Sequence, residues 1–307
     1  MLSDIGAIIV TFNRLEKLKK ALESYECQTL LPKYIIVVNN ASNDGTKEYL
    51  EIWKKENSEY EKIVVSLSEN KGGAGGFYEG QKLAITKDAD WIMHADDDLY
   101  LDKDYFFKFN EYMNNNNDYN DCSIICGKVL YKKKVSLGDR CILKNKWTIP
   151  FFINVDEHEY KKEKFYCDFV SFLAVAINKN KLIKAGLVKY KYFIWFDDFE
   201  FSYRIGQLGK IICIPELSAD HDREDVKNLL TWKLYYLYRN QTDFIKCFFK
   251  FQFIFLVIIM VLKAICCPLK GKSFMETKMR LQGIKDGILG KFGKHLKYCP
   301  GWKYKKL

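Results

Sequence analysis

Short runs of consecutive apolar residues alternate along this chain with stretches whose apolar positions recur every three or four residues. That rhythm predicts strands and helices in alternation. Ile5–Val10 is an apolar, β-branched run that predicts a buried strand. Leu15, Leu18, Leu22 and Tyr25 follow at helical spacing, with Asn13 placed to cap them. Tyr34–Val38 predicts a second strand, closed by turn residues from Asn39 to Gly45. A helix over Thr46–Lys55 and a third strand over Ile63–Leu67 come next. The turn Asn70–Gly76 opens a helix to about Lys87, and Trp91–His94 is a fourth strand that runs into Asp96-Asp97-Asp98. Strands separated by helices in this way predict an α/β fold with a mostly parallel sheet covered by helices.

The second half is less regular. A helix beyond Asp102 leads to the polar run Asn114–Asp118, a surface loop. Ser123–Leu130 and Phe165–Ile177 predict further strands, with a charged stretch between them. Ile211–Ile214 predicts a last short strand and Asp225–Lys246 a helix. Phe253–Leu262 is ten uninterrupted apolar residues flanked by Lys246, Lys250, Lys263 and Lys270. That is short of the roughly 20 residues a spanning helix needs.

Composition narrows the class. With 307 residues, 48% apolar and 29% charged, the chain can bury a sizeable core, and disorder or collagen-like repeats are excluded. The net charge of +10 is localised: from Lys263 onward 12 basic residues face two acids, Glu276 and Asp286, which leaves 37 of each sign before it. A neutral body with a basic end points to an anionic surface, membrane or nucleic acid. The aromatics of that end, Phe292, Tyr298, Trp302 and Tyr304, form no recognised stacking module, so no nucleic acid partner is expected. The ten cysteines are scattered without paired CxxC spacing and predict free, mostly buried thiols in a reducing compartment, the cytoplasm. Ser3 and Asp4 interrupt the start, so no signal peptide is expected there.

Ligands of open parallel sheets bind beyond the carboxyl ends of strands. Three candidate clusters fall there: Thr11-Phe12-Asn13-Arg14, Asn39-Asn40 and Asp96-Asp97-Asp98. Three consecutive carboxylates repel unless a cation sits among them, and a hard divalent ion takes oxygen ligands together with substrate phosphates. In an extended segment Asp96 and Asp98 point to one side and can face one metal–diphosphate unit. Gly72 and Gly73, in the cluster up to Gly76, can offer backbone N–H groups to phosphate; taken alone the glycines are better explained by close helix–sheet packing, and it is their neighbours on the rim that point to a ligand-facing loop. A second acidic group, Trp195-Phe196-Asp197-Asp198-Phe199-Glu200-Phe201, sets three carboxylates among aromatics. Such surroundings raise a carboxyl pKa and suit a general base near neutral pH. The same acids could merely begin a helix. His221, within Asp220-His221-Asp222, is a further metal-ligand candidate, whereas His94 is expected to pack or hydrogen-bond.

In order, Ala7–Arg14, Val37–Thr46, Asn70–Gly76, Asp96–Asp98, Phe193–Glu200, His221 and Tyr235–Asn240 resemble glycosyltransferase family 2. Within that family the chain looks like the galactofuranosyl- and rhamnosyltransferases of bacterial surface-polysaccharide synthesis. The resemblance covers roughly 1–245, with a looser match near Gly283–Gly293. It implies a GT-A (Rossmann-like) domain over 1–245, nucleotide-sugar half 1–100 and acceptor half 101–245, followed by a basic amphipathic helical tail over 246–307. It also implies a nucleoside-diphosphate sugar donor, Mn²⁺ or Mg²⁺, and inversion at the anomeric carbon. Thr11, Phe12, Arg14, Asn39, Gly72, Gly73, Asp96 and Asp97 would bind the donor, with Phe12 against the base. Asp96, Asp98 and His221 would hold the metal. Asp198 would be the catalytic base, with Trp195, Asp197 and Glu200 at the acceptor.

Two positions depart from the family pattern. Asn39 replaces the usual Asp, and Phe196 separates Trp195 from the acids. The reaction implied is transfer of one sugar, galactofuranose from UDP-galactofuranose or alternatively rhamnose from dTDP-rhamnose, to a lipid-linked capsule or O-antigen-type precursor. The enzyme would sit peripherally on the cytoplasmic face of the membrane, with Phe253–Leu262 as an interfacial helix. The alternative for that segment is a helical hairpin packed on the body or on a second copy in a homo-oligomer. Of the rival functions, a nucleotidyltransferase needs a glycine-rich loop after the first strand, which Thr11–Arg14 lacks. A non-catalytic sugar-nucleotide-binding subunit would not need both acid sets. One borderline apolar segment cannot build the channel of a processive synthase.

Overall fold

A computed structural model describes residues 4–116, 118–223 and 231–302. In the first hundred residues β1 (Ile5–Thr11), α1 (Leu15–Glu26), β2 (Tyr34–Asn39), α2 (Thr46–Trp53), β3 (Glu61–Ser66), α3 (Gly72–Ala84) and β4 (Trp91–Asp96) alternate as the pattern predicts. Their strands pair in parallel, β4-β1-β2-β3. β1 and β2 are buried at every residue because helices cover both faces of the sheet. α3 lies close on that sheet because Gly76 and Gly80 leave room for Val10 and Ile8, which an added methyl would overlap. Asn13 does not cap α1. Its backbone is left-handed (φ 52°) and its side-chain oxygen accepts from Asn43 N–H at 2.8 Å. The cap comes from the neighbouring turn, where Asp44 Oδ2 accepts from Leu15 N–H at 3.0 Å.

The second half adds β5 (Leu99–Leu101), α4 (Tyr105–Asn115), β6 (Cys122–Tyr131), β7 (Lys134–Val135), β8 (Arg140–Leu143) and β9 (Phe152–Asn154). Then come β10 (Phe165–Tyr166), β11 (Phe169–Val170), β12 (Val175–Asn178), α5 (Lys179–Ala185), α6 (Asp197–Gly206) and β13 (Lys210–His221). Among the described residues the main sheet runs β10-β13-β6-β12-β4-β1-β2-β3, with β5 beside β13 and β7 beside β6. β12 is antiparallel to both β4 and β6, so the sheet is mixed beyond its parallel first half.

Two expected strands differ from the pattern. Phe165–Ile177 is broken because the chain changes sheets: Cys167 N–H donates to Ile211 of β13 while the next amide, Asp168 N–H, donates to Cys141 of β8. β11 therefore joins β8 and β9 in a separate three-stranded sheet. The strand expected over Ile211–Ile214 continues to His221, through a register shift between Ile214 and Ser218 that absorbs Pro215.

Three helices follow: α7 (Lys233–Phe248), α8 (Phe253–Ile265) and α9 (Phe274–Ile288). The boundary expected at residue 245 falls inside α7, which binds the C-terminal segment to the body. Gly283 and Gly287 of α9 face the backbone of Tyr235 and Arg239 so closely that a Cβ at either would overlap it. Tyr235 also donates its hydroxyl to Asp286 at 2.8 Å. The start of the expected helix at Asp225 and the lysine-rich end with Tyr304 lie outside the described residues. α8 is apolar at every position but Lys263. Leu256 and Met260 are buried in the cluster that includes Phe244 and Phe249, and Ala264 is buried too, whereas Ile254, Ile258, Leu262 and Ile265 are exposed. No described helix is long and apolar enough to cross a membrane. All ten cysteines are free, and most are buried.

Candidate active site

From β1 the chain moves to β2 and β3 on one side, then returns to β4 on the other. The carboxyl ends of β1 and β4 therefore border a crevice where strand order reverses, the place such sheets use for ligands. A cavity of about 440 Å³ opens there. Thr11, Phe12 and Arg14 line it beyond β1, and Asp96 and Asp97 beyond β4. Gly72 and Gly73 at the start of α3, Asn40, and the group Trp195, Asp197 and Asp198 line its other walls.

The three aspartates have three different settings. Asp97 organises the loop after β1: its Oδ2 accepts from Thr11 Oγ1 at 2.7 Å and Phe12 N–H at 3.3 Å, and its Oδ1 pairs with Arg14 Nη1 at 3.2 Å. Asp98 pairs with the same guanidinium nitrogen at 2.7 Å. The expectation that Asp96 and Asp98 share one side fails, because β4 ends at Asp96 and the chain turns through Asp97-Asp98 into β5. Asp96 lines the cavity. Asp98 does not, lying instead against Arg14 and His221.

His221 reaches that place because β13 runs antiparallel to β5, with His221 opposite Leu99. Its Nε2 is 3.3 Å from Asp98 Oδ1, an oxygen that is buried and accepts no well-formed hydrogen bond. Among the described residues no three or more His, Cys, Asp or Glu side chains converge as a metal-binding set, so Asp96 does not close a triad with Asp98 and His221. Burial pushes the Asp96 carboxyl up to about 7, with Asp98 and Asp97 adding to it. Burial likewise takes Asp97 to about 6 against the pull of Arg14. Asp98 is also buried, yet the His221 contact and Arg14 hold it below the usual carboxylate range.

The second acid group stands at the start of α6 on a strained approach. Phe193, Trp195 and Phe196 have left-handed backbones (φ 67°, 60° and 70°), unusual for bulky side chains. Asp197 is buried and Asp198 partly so, with Asp198 Oδ1 accepting from Phe199 N–H at 2.8 Å. Burial raises Asp197 to about 6. Burial first, then the neighbouring Asp197, push Asp198 well above the ordinary carboxylate range. Neither acid has an ion pair among the described residues.

Two expected contacts are corrected. Glu200 is fully buried and does not face the cavity: it holds Arg204 through 2.9 and 3.1 Å contacts, and Arg204 in turn donates to the carbonyls of Ala185, Gly186 and Leu187. It braces α6 and is not placed to grip an acceptor. Asn39 does not line the cavity either, since its side-chain oxygen accepts from Ser42 N–H at 2.9 Å. The adjacent Asn40 does line it and ties the loop to α3, donating to Gly72 O at 2.8 Å and accepting from Lys71 N–H at 2.9 Å. His94 packs as expected, stacked on Phe77 at 4.9 Å.

A family model for Glycosyl transferase family 2 matches residues 7–181. The chain belongs to this family. Among curated proteins, this family 2 chain is 35% identical over 99 residues to the galactofuranosyltransferase GlfT1 of Mycobacterium tuberculosis, covering 32% of this chain and 31% of the relative. It is 33% identical over 104 residues to the poly-beta-1,6-N-acetyl-D-glucosamine synthase of Staphylococcus aureus, covering 34% of this chain and 24% of that protein. The matches thus span a third or less of those relatives' lengths. Among solved structures, GalNAc-T7 with UDP, GalNAc and Mn²⁺ aligns with a TM-score of 0.62 at 16% identity, over 94% of this chain and 56% of the other. S. aureus TarS with UDP-GlcNAc aligns at 0.60 and 13% identity, over 94% and 81%. The fold is that of GT-A glycosyltransferases.

The family 2 site also contains residues that the sequence pattern did not single out. Asn240, fully buried on α7, donates its amide to the carbonyls of Tyr192, Ile194 and Trp195 at 3.1, 3.1 and 2.7 Å. Arg239 donates to Tyr192 O and Gly293 O, both at 2.7 Å. Together they hold the strained approach to Asp197 and Asp198. The Arg-Asn dipeptide stood within the family match, but nothing local said which loop it would clamp. Trp232, Lys233 and Pro300 also line the cavity and come from beyond the acid motifs, without any local signal.

Proposed function

We propose that the chain is an inverting, metal-dependent glycosyltransferase that moves galactofuranose from UDP-galactofuranose to a lipid-linked glycan precursor at the cytoplasmic face of the membrane. The observation that carries this reading is the meeting, in one cavity, of two acid groups with different partners. Asp96 and Asp97 stand beside Arg14, while Asp197 and Asp198 stand apart from any ion pair among the described residues. A nucleotide-sugar transfer needs that division. One group manages the charge of the diphosphate and the other accepts a proton.

In this reading Phe12 packs against the base, and Thr11 and Arg14 are held in place by Asp97. Asp198, its carboxylate destabilised by burial, takes the proton of the acceptor hydroxyl. The hydroxyl oxygen bonds to the anomeric carbon on one face as the carbon–oxygen bond to phosphate breaks on the other, its electron pair leaving with the diphosphate. The transition state carries oxocarbenium character. The residues fit a divalent ion in part: Asp98 Oδ1 lacks a hydrogen bond and faces His221 Nε2, so this pair would hold it. Such an ion, when bound, supplies Lewis-acid neutralisation of the diphosphate.

The GlfT1 similarity supports galactofuranose as the sugar. The exposed stripe Ile254, Ile258, Leu262 and Ile265, flanked in sequence by Lys250 and Lys270, supports seating on an anionic lipid surface. The test is nucleotide release from UDP-galactofuranose, dTDP-rhamnose and UDP-GlcNAc, each with and without Mn²⁺ and a lipid-linked acceptor. Release of UDP from UDP-galactofuranose, abolished by EDTA, is expected. Release of dTDP alone would move the reading to a rhamnosyltransferase, and no release from any donor would sink it.

A further inference from the structure

Lys233 is a cation at the wall of the cavity whose ammonium has no hydrogen bond or ion pair among the described residues. It opens α7 and lines the same space as Arg14, Asp96 and Trp195. Its Nζ lies 5.7 Å from the centre of the Trp195 ring and 6.0 Å from that of Trp232, aromatic faces that attract the charge but do not neutralise it. The stem is firmly based, because the next turns of α7 bury Tyr235, Tyr236, Arg239 and Asn240.

Arg14 differs in this respect. Its guanidinium is already shared between Asp97 at 3.2 Å and Asp98 at 2.7 Å. Lys233 feels Asp96 and Asp98 only at longer range. Burial lowers its pKa, Arg14 lowers it further, and Asp96 and Asp98 only partly oppose them. A partly buried ammonium without a partner is unfavourable and is relieved by an anion in the adjoining space.

We propose that Lys233 binds the diphosphate of the nucleotide-sugar donor, as a charge-assisted hydrogen-bond donor that complements Arg14. This rests on the reading of the cavity as a donor site. The lysine stays protonated throughout and transfers nothing; it adds positive charge where the leaving diphosphate gains negative charge.

The experiment is calorimetric titration of the full chain with UDP, UMP and inorganic pyrophosphate in the presence of Mn²⁺, for wild type, Lys233→Gln, Lys233→Met and Lys233→Arg. Removing the charge is expected to weaken UDP and pyrophosphate about tenfold or more, as loss of one charge-assisted hydrogen bond does, and UMP by less than about threefold. Lys233→Arg should keep UDP within about threefold of wild type. Unaltered UDP affinity in a folded Lys233→Gln or Lys233→Met protein overturns the proposal. So does an equal loss of UMP and UDP, which would mean a merely structural role. Wild type that binds neither UDP nor pyrophosphate would instead remove the donor reading itself, an outcome distinguishable from both.

Discussion

The carbonyl oxygen of Phe193 occupies the space that a side chain on Gly72 would need. Gly72 has φ 74°, and the same carbonyl accepts from Ala74 N–H at 3.2 Å, so the loop that leads to Asp198 is seated on the first turn of α3. The loops proposed to hold donor and base therefore share one contact. Gly72→Ala would meet both a left-handed backbone and a carbonyl that cannot yield cheaply. We expect it to cost about 1–3 kcal/mol in denaturant unfolding and to impair UDP binding and transfer together. Wild-type stability in this variant would show that the contact is not close in solution.

Asn240 is expected to act at a distance from the chemistry. Its amide satisfies three carbonyls of a loop with three left-handed aromatic residues, and no other described side chain bonds to all three. Asn240→Ala should lower kcat by about 10²-fold through misplacement of Asp198, while UDP affinity changes less than about threefold. Steady-state kinetics beside calorimetry separates the two. An equal fall in UDP affinity would assign Asn240 to general stability instead.

Much of this arrangement was legible in the sequence, for a physical reason. Buried parallel strands must be apolar and β-branched, and the turns after them must be polar, so Thr11–Arg14, Asn40 and Asp96–Asp97 announced a rim. The rest depended on contacts that no local pattern carries. The switch of sheets at Cys167–Asp168 is invisible because apolar residues continue on either side of it. Glu200 was misassigned for its position among acids and aromatics, although its i,i+4 spacing to Arg204 on one helix was available as a warning. Lys233 and Asn240 take their places only because α7 begins at the cavity wall and packs on the loop after Tyr192, a tertiary fact.

The pH dependence of transfer should report Asp198. A protonated carboxyl cannot accept the acceptor's proton, so kcat/KM must rise with pH through the pKa of this group. Burial and Asp197 place that pKa well above the ordinary carboxylate range. Asp197→Asn removes the second of those causes and is expected to move the rising limb to lower pH while leaving the burial contribution. Asp198→Asn should abolish transfer with UDP binding nearly intact. A rising limb that ignores Asp197→Asn would remove Asp198 from the role of base.

Metal dependence should trace to Asp98 and His221. Either Asp98→Asn or His221→Ala is expected to diminish the gain in UDP affinity that Mn²⁺ gives the wild type, read as the ratio of dissociation constants with the ion and with EDTA. The ratio, unlike the affinity itself, is insensitive to the loss of the Arg14 contact in Asp98→Asn. A ratio equal to that of wild type in both variants would place the ion elsewhere.

The exposed face of α8 offers the last test. Leu256, Met260 and Ala264 fasten the helix to the body, so the opposite stripe can be altered without loosening the fold. Ile258 is 52% and Leu262 56% exposed, and they lie one turn apart. Replacing both by glutamate removes apolar area from the stripe proposed to face the membrane and sets negative charge against anionic headgroups. Each apolar side chain is worth about 1.5–3 kcal/mol on full burial, so even partial insertion predicts at least about a tenfold loss of binding to vesicles containing anionic lipid. Thermal stability should change by no more than about 0.5 kcal/mol equivalent, as for ordinary surface positions. Vesicle co-sedimentation at low and high salt separates the two forces: the apolar share survives salt and the lysine share does not. Unchanged sedimentation of the double variant, with the fold intact, would free α8 from any membrane role and leave its exposed stripe to a second copy of the chain, which analytical ultracentrifugation of the same samples would detect.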